Sequence, residues 1–279
     1  NLIAISIKHR KIVLSVCLLF ITASGLSALN LQIDSNYLHF FRDDSPVRQL
    51  VNEANEDLSG ANAFYVIVDS QEEGGLQKPD NLAAIAKLTD FLDGRYSTVV
   101  SYDRFIRKTH KEMNGGSDDF FVVPDDEDLI YQYTLLMEPG TLERFADFDF
   151  QTAAILVRLN FLGSSELNND VAEIKAFVDQ KLPRNLAVTV TGGAVLIAQT
   201  SDQISREILL NLALMLTVIF FVICGLFVSV KAGLLAMIPN TLPLIGAFGA
   251  MGVLDIPLST GTFPVVIIAL GIAVDDTIH

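Results

Sequence analysis

Apolar residues gather in four blocks of about twenty positions, and a long stretch between the first and second alternates short strand and helix patterns. The blocks are 12–31, 208–230, 232–254 and 256–279. Each is long enough to cross a hydrocarbon core of about 30 Å as a helix. They are expected to be transmembrane helices 1 to 4, the fourth truncated. Residues 1–11 are a short flank, and 32–207 a domain of ordinary polarity. Within that domain Ser45 and Pro46 suit the cap and first residue of a helix reaching about residue 58. Strands are expected at 63–68, 97–102, 151–161 and 187–191, and helices at 81–92 and 168–182. Residues 103–149 form an acidic insert, irregular except for short helices at 125–137 and 141–148. Outside the insert the order is βαββαβ, a ferredoxin-like plan in which strands one and three are central neighbours. The fold class is therefore an α+β membrane protein: transmembrane helices plus an exterior ferredoxin-like domain. A polar helix from 195 to 206 is expected to lead into the second span.

Charge sets the orientation. Residues 32–207 hold 30 acidic and 15 basic side chains, a net of −15, and the rest of the chain is +1, for −14 overall. Lys8, Arg10 and Lys11 precede the first block, and Lys231 sits in the short turn between the second and third. Basic residues in short loops stay cytoplasmic. The flank and that turn are then inside, and 32–207 and the loop 255–262 outside. An acidic exterior disfavours nucleic acid and anionic membrane surfaces as partners. The basic flank, apolar run and small residues Ala23, Ser24, Gly25 and Ala28 also fit a cleaved leader, but three later spans favour a retained helix. The chain starts at Asn1 and stops within an apolar segment, which reads as a piece of a longer polytopic protein.

Chemistry concentrates in the fourth block. From Ile256 to Val274 no residue is charged, and Asp275 and Asp276 follow directly. An aspartate at the centre of a membrane helix costs about 2.5–3.5 kcal/mol on insertion scales and marks ion or proton pathways. His279 lies four and three residues beyond the pair, and Gly271 four before Asp275, so helical spacing gives them one stripe. A glycine there would let a neighbouring helix approach. The stripe is a candidate proton relay of Asp275, Asp276 and His279. A structural ion pair, a sodium site and a membrane-edge position of the acids are the other readings. In the third block Pro239, Asn240 and Pro243 interrupt the helical ladder, as a tolerated kink or a hinge at a transport core.

Other chemistries lack support. The two cysteines, Cys17 and Cys224, fall inside apolar blocks, so a disulfide framework is not expected. His9, His39, His110 and His279 are scattered without metal-ligand spacing. The chain has no Walker A motif, nucleotide loop or nucleophile elbow. It is not expected to be an enzyme or to carry a cofactor or metal.

Four stretches resemble a resistance–nodulation–division (RND) permease, nearest to the MMPL-like exporters. They are Asp43 to Val47, Leu142 to Phe145, Pro239 to Pro243 with Gly249 to Gly252 and Ile256 to Leu258, and Gly271 to Asp276. The resemblance implies a proton-motive antiporter with twelve helices in two similar halves, of which this chain is the N-terminal part of one. It implies the proton relay at Asp275 and Asp276, and a porter role for 32–207. The outer domain is too small for the docking module of the large drug pumps, which favours the lipid-exporter branch. The function expected is proton-driven export of hydrophobic or amphiphilic, lipid-like molecules across a bacterial inner membrane. The partners expected are that substrate, protons, membrane lipids, the other half of the permease and further copies of the chain, and no nucleic acid. The alternatives are an accessory of protein export of the SecD/SecF type and a non-transporting sterol-sensing or receptor-like protein.

Overall fold

The computed structural model describes residues 9–42, 44–57, 59–160 and 163–278. It divides into two compact units, one of Asn36–Gln199 and one of Asn1–Ser35 with Thr200–His279.

The first unit is built on a four-stranded antiparallel sheet: β1 (Asn62–Asp69), β2 (Thr98–Val100), β3 (Thr152–Leu159) and β4 (Ala187–Thr191). The order across the sheet is β2-β3-β1-β4. β1 and β3 are central neighbours, with Phe64 opposite Val157, Val66 opposite Ile155 and Val68 opposite Ala153. These residues are all buried because side chains alternate along a strand. α1 (Arg10–Ala28) belongs to the other unit; here α2 (Pro46–Asp57) is followed by α3 (Pro79–Asp93), α4 (Tyr102–Met113), α5 (Glu127–Thr134), α6 (Pro139–Leu142) and α7 (Ser164–Lys181). Leu82, Ile85, Leu88 and Leu92 of α3, and Leu167, Val171 and Ile174 of α7, join the strand residues in one core. As expected from Ser45, its hydroxyl caps α2 by accepting from the Arg48 amide at 3.3 Å. β4 ends where Gly192 adopts φ 128°, and a Cβ there would press on the Phe64 backbone at 3.0 Å.

The insert departs from the sequence expectation twice. Its first residues form the well-defined helix α4, which has only two buried apolar side chains, Tyr102 and Ile106, one turn apart. The helix expected at 141–148 shrinks to α6. Ala146 instead bridges to Ala153, and the Asp147 carboxylate accepts from the amides of Gln151 and Thr152 at 2.8 and 3.0 Å. A side chain that bonds its own backbone in this way competes with continued helix.

The second unit comprises α1 (Arg10–Ala28), α8 (Gly193–Phe227, which starts in the first unit), α9 (Val230–Val253) and α10 (Phe263–Ile278). α8 and α9 are long and apolar enough to cross a membrane. Leu210, Leu214, Val218 and Phe221 of α8 are among many large apolar side chains left exposed, a face suited to lipid. α8 is continuous, so the polar segment at 195–206 and the second span are one element.

The fourth block corrects the expectation that a helix starts at 256. Residues 256–262 are a turn. Proline disfavours the α conformation in the residue before it, here Ile256. The Leu258 amide donates to the Gln32 carbonyl at 2.8 Å, and the Asp34 amide to the Leu258 carbonyl at 3.1 Å, making a short parallel bridge. Ser259 and Thr262 then cap each other: the Ser259 amide donates to the Thr262 hydroxyl at 2.8 Å and the Thr262 amide to the Ser259 hydroxyl at 3.3 Å. α10 therefore starts at Phe263, which is buried.

Candidate functional site

The acid-bearing helix is positioned by its upper half. Val266 of α10 packs with Leu212 of α8 and Leu244 of α9, and Met215, Leu216, Phe248 and Met251 lie against them. Asp275 and Asp276 fall within α10, twelve and thirteen residues beyond Phe263. At 1.5 Å per residue that is about 18–20 Å along the helix from its buried first residue. Their side chains, and all of His279, lie outside the described residues. Gly271, on the stripe that spacing assigns to Asp275, is exposed, and a Cβ there would meet nothing within 4 Å. The close helix approach expected at Gly271 is thus not made by the helices described. Val266, on another side of α10, makes the packed face.

Close approach occurs instead between α1 and α9. A Cβ on Gly249 would collide with Ser24, one on Gly252 with the Ser27 carbonyl, and one on Gly246 would press on the Phe20 ring at 3.1 Å. The Ser27 hydroxyl donates to the Gly249 carbonyl at 2.9 Å. Small residues such as these let two membrane helices approach closely. That periodicity was visible in the sequence, but the expected packing glycine was Gly271.

Pro239 and Pro243 sit inside α9 without ending it. Neither has an amide hydrogen, so the carbonyls four residues earlier, of Leu235 and Pro239, lose their ladder partner. The neighbouring carbonyls gain side-chain donors: Asn240 Nδ2 donates to Ala236 at 3.0 Å, and the Thr241 hydroxyl to Met237 at 2.9 Å. Asn240 is fully buried and lies one turn before Leu244 on the face that meets α8 and α10.

A second buried polar cluster lies in the sheet unit, centred in the insert read as acidic and irregular. Asp103 is fully buried on α4. Its carboxylate accepts from Arg107 Nη2 at 2.9 Å and from the Thr89 hydroxyl at 2.7 Å. Arg107 also donates to Asp90 at 2.9 Å, and its guanidinium lies 4.8 Å from the Phe121 ring centre. Burial pushes the Asp103 carboxyl above the usual carboxylate range, against the opposing pull of Arg107. Tyr102, whose hydroxyl lies 2.5 Å from the Thr134 hydroxyl, is pushed up to about 12 by burial. The Asp103–Arg107 spacing is an ordinary helical ion pair in sequence, and only packing distinguishes it from a surface one. Among the described residues no three His, Cys, Asp or Glu side chains converge on a metal-sized site.

The model of the MMPL family matches residues 40–278. The chain belongs to the MMPL family. It is an RND-type membrane transporter in broad class, and that family consists of transporters rather than enzymes. A relative from Methanocaldococcus jannaschii, described as "Putative membrane protein MJ1562", is 21% identical over 281 residues, covering 96% of this chain and 69% of the relative. The MMPL match begins in the sheet unit and runs through α10, leaving α1 before it.

Proposed function

We propose that this MMPL chain is part of one half of a proton-driven exporter of hydrophobic or amphiphilic molecules, with Asp275 and Asp276 as the proton-carrying groups. The observation that carries this reading is a helix free of charge from Phe263 to Val274 that then presents two adjacent acids. Two ionisable groups in such a helix are costly to insert and are retained where they move charge. Gly271, exposed and with no described helix against it, supports a partner helix for them in the other half of the permease. In this reading 32–207 is a ferredoxin-like porter domain on the outer side of a bacterial inner membrane. The sheet order β2-β3-β1-β4, with helices after β1 and β3, supports that plan. Homo-oligomerisation and lipid-like cargo belong to the same reading.

Export should follow an imposed pH gradient in proteoliposomes of the full-length permease, loaded with a fluorescent single-chain amphiphile, and should stop when a protonophore collapses the gradient. Transport at the same rate without a gradient would overturn the proton-driven reading.

Orientation has a separate test. A membrane-impermeant maleimide applied to whole cells should label Glu73→Cys in the sheet unit and leave Val228→Cys, in the turn after α8, unlabelled. Labelling of Val228→Cys alone would reverse the orientation. Both positions are exposed, so access and not burial decides the outcome.

A further inference from the structure

The insert builds a pocket of about 330 Å³ against edge strand β2. Its walls are mainly apolar: Val99 and Val100 of β2, Phe105 of α4, Phe121, Met137 and Phe145. Such a volume is at the lower end of small-molecule sites, about 300–1,000 Å³. All the lining comes from one unit, and most of it from residues outside the βαββαβ frame.

The pocket's charged lining residues are both cations, Arg104 and Lys108. They play different parts. Arg104 is fixed, donating to both oxygens of Asp93 at 2.7 and 3.0 Å and to the Val99 carbonyl at 2.9 Å. That last bond also occupies a carbonyl of the edge strand, which hinders pairing by another strand. Lys108 is exposed and makes no ion pair among the described residues. No carboxylate lines the pocket, although the unit is strongly acidic. Two polar pockets of the same unit differ in this respect: one is lined by Glu166 and Asp170, the other by Glu72, Asp80 and Asp125. An apolar cavity with one unengaged ammonium at its rim has the chemistry of an acyl chain ending in a compact anion.

We propose that the pocket between β2, α4 and the rest of the insert binds a single-chain anionic amphiphile, its chain against Val100, Phe105 and Phe145 and its head at Lys108. The surrounding acidic surface would keep bilayer-sized anionic surfaces away while leaving this local cation available to one molecule. As a binding site the pocket stands apart from the proton pathway; as a substrate site it rests on the exporter reading.

The test is equilibrium binding of dansyl-aminoundecanoic acid to the full chain in phosphatidylcholine nanodiscs, with no gradient imposed. Decanoate and decyl phosphate should both displace the probe, and decyltrimethylammonium should not; displacement by decanoate alone would place a fatty carboxylate in the site, and by decyl phosphate alone a phosphate head. Lys108→Glu should weaken the probe about five- to tenfold at low ionic strength, and less at high salt, as for a rim charge. Thr141→Trp, at an exposed lining position, should fill the cavity and reduce binding to that of empty nanodiscs. Unchanged binding in both variants, or equal displacement by the cationic amphiphile, would overturn the proposal. All six tyrosines lie between residues 37 and 133, so tyrosine fluorescence checks that this unit remains folded in Lys108→Glu, and near-UV circular dichroism does so in Thr141→Trp. A failed gradient-transport assay would leave this binding result intact, and failed binding would leave gradient coupling intact.

Discussion

Replacing Asp275 or Asp276 by Asn is expected to reduce gradient-driven transport to the background of protein-free liposomes while leaving the chain inserted. The amide keeps the size of the carboxyl and most of its hydrogen bonding but cannot carry a proton. Insertion should not suffer, because a neutral amide is less costly than an ionised acid within a membrane helix. In a single relay made of both acids, neither has a separate role that the other could take over. The double variant should therefore be no worse than either single one, a non-additivity typical of groups acting as a unit. Export against an imposed pH gradient, normalised to the amount of protein reconstituted, is the measurement. Full transport by the double variant would remove the relay and leave a structural ion pair as the role of the acids. Full transport by one single variant would assign the relay to the other acid alone.

The sheet unit was largely legible because its strands alternate. In β3 the residues Ala153, Ile155, Val157 and Leu159 occupy every second position, and all are buried. The helix before Gly94 was equally plain, since Leu82, Ile85, Leu88 and Leu92 recur at helical spacing. α4 was not, because half of its residues are charged and two of them, Asp103 and Arg107, are buried against groups outside the helix such as Thr89, Asp90 and the ring of Phe121. Local pattern carries no trace of such contacts. The late start of α10 was hidden for a related reason. Ile256, Pro257 and Leu258 continue the apolar run, and hydropathy does not register that the Leu258 backbone pairs with Gln32 and Asp34. The acid pair was the reverse case, conspicuous in sequence because charge interrupts an apolar helix. The α1–α9 contact lay between these extremes. Its glycines were in view at Gly246, Gly249 and Gly252, but the seats they fill, Phe20, Ser24 and Ser27, belong to a helix more than two hundred residues earlier.

Asp103→Ala is expected to destabilise the sheet unit by about 3–5 kcal/mol, the usual cost of leaving a buried charge without its partner. The charge left behind is Arg107, almost fully buried on the same helix, with only the partly exposed Asp90 to pair with. Asp103→Asn should cost less, since its amide oxygen can still accept from Thr89 or Arg107. The two variants thereby separate lost shape from lost charge. pH gives an independent check. Burial holds the Asp103 carboxyl above its unfolded range of about 4, so the folded state binds this proton more tightly than the unfolded state. Linkage then makes the Asp103 contribution to stability largest below that range, and it falls as pH rises from about 4 through the folded value. The Asn variant has no proton to bind at this position. The stability of the wild type minus that of Asp103→Asn should therefore decline across this window and be flat above it. Urea unfolding of the full chain in micelles, followed by tyrosine fluorescence, measures this difference, because the chain has no tryptophan and every tyrosine belongs to the sheet unit. A difference that rises with pH instead would mean that the attraction of Arg107 outweighs burial and that Asp103 is held ionised in the folded protein.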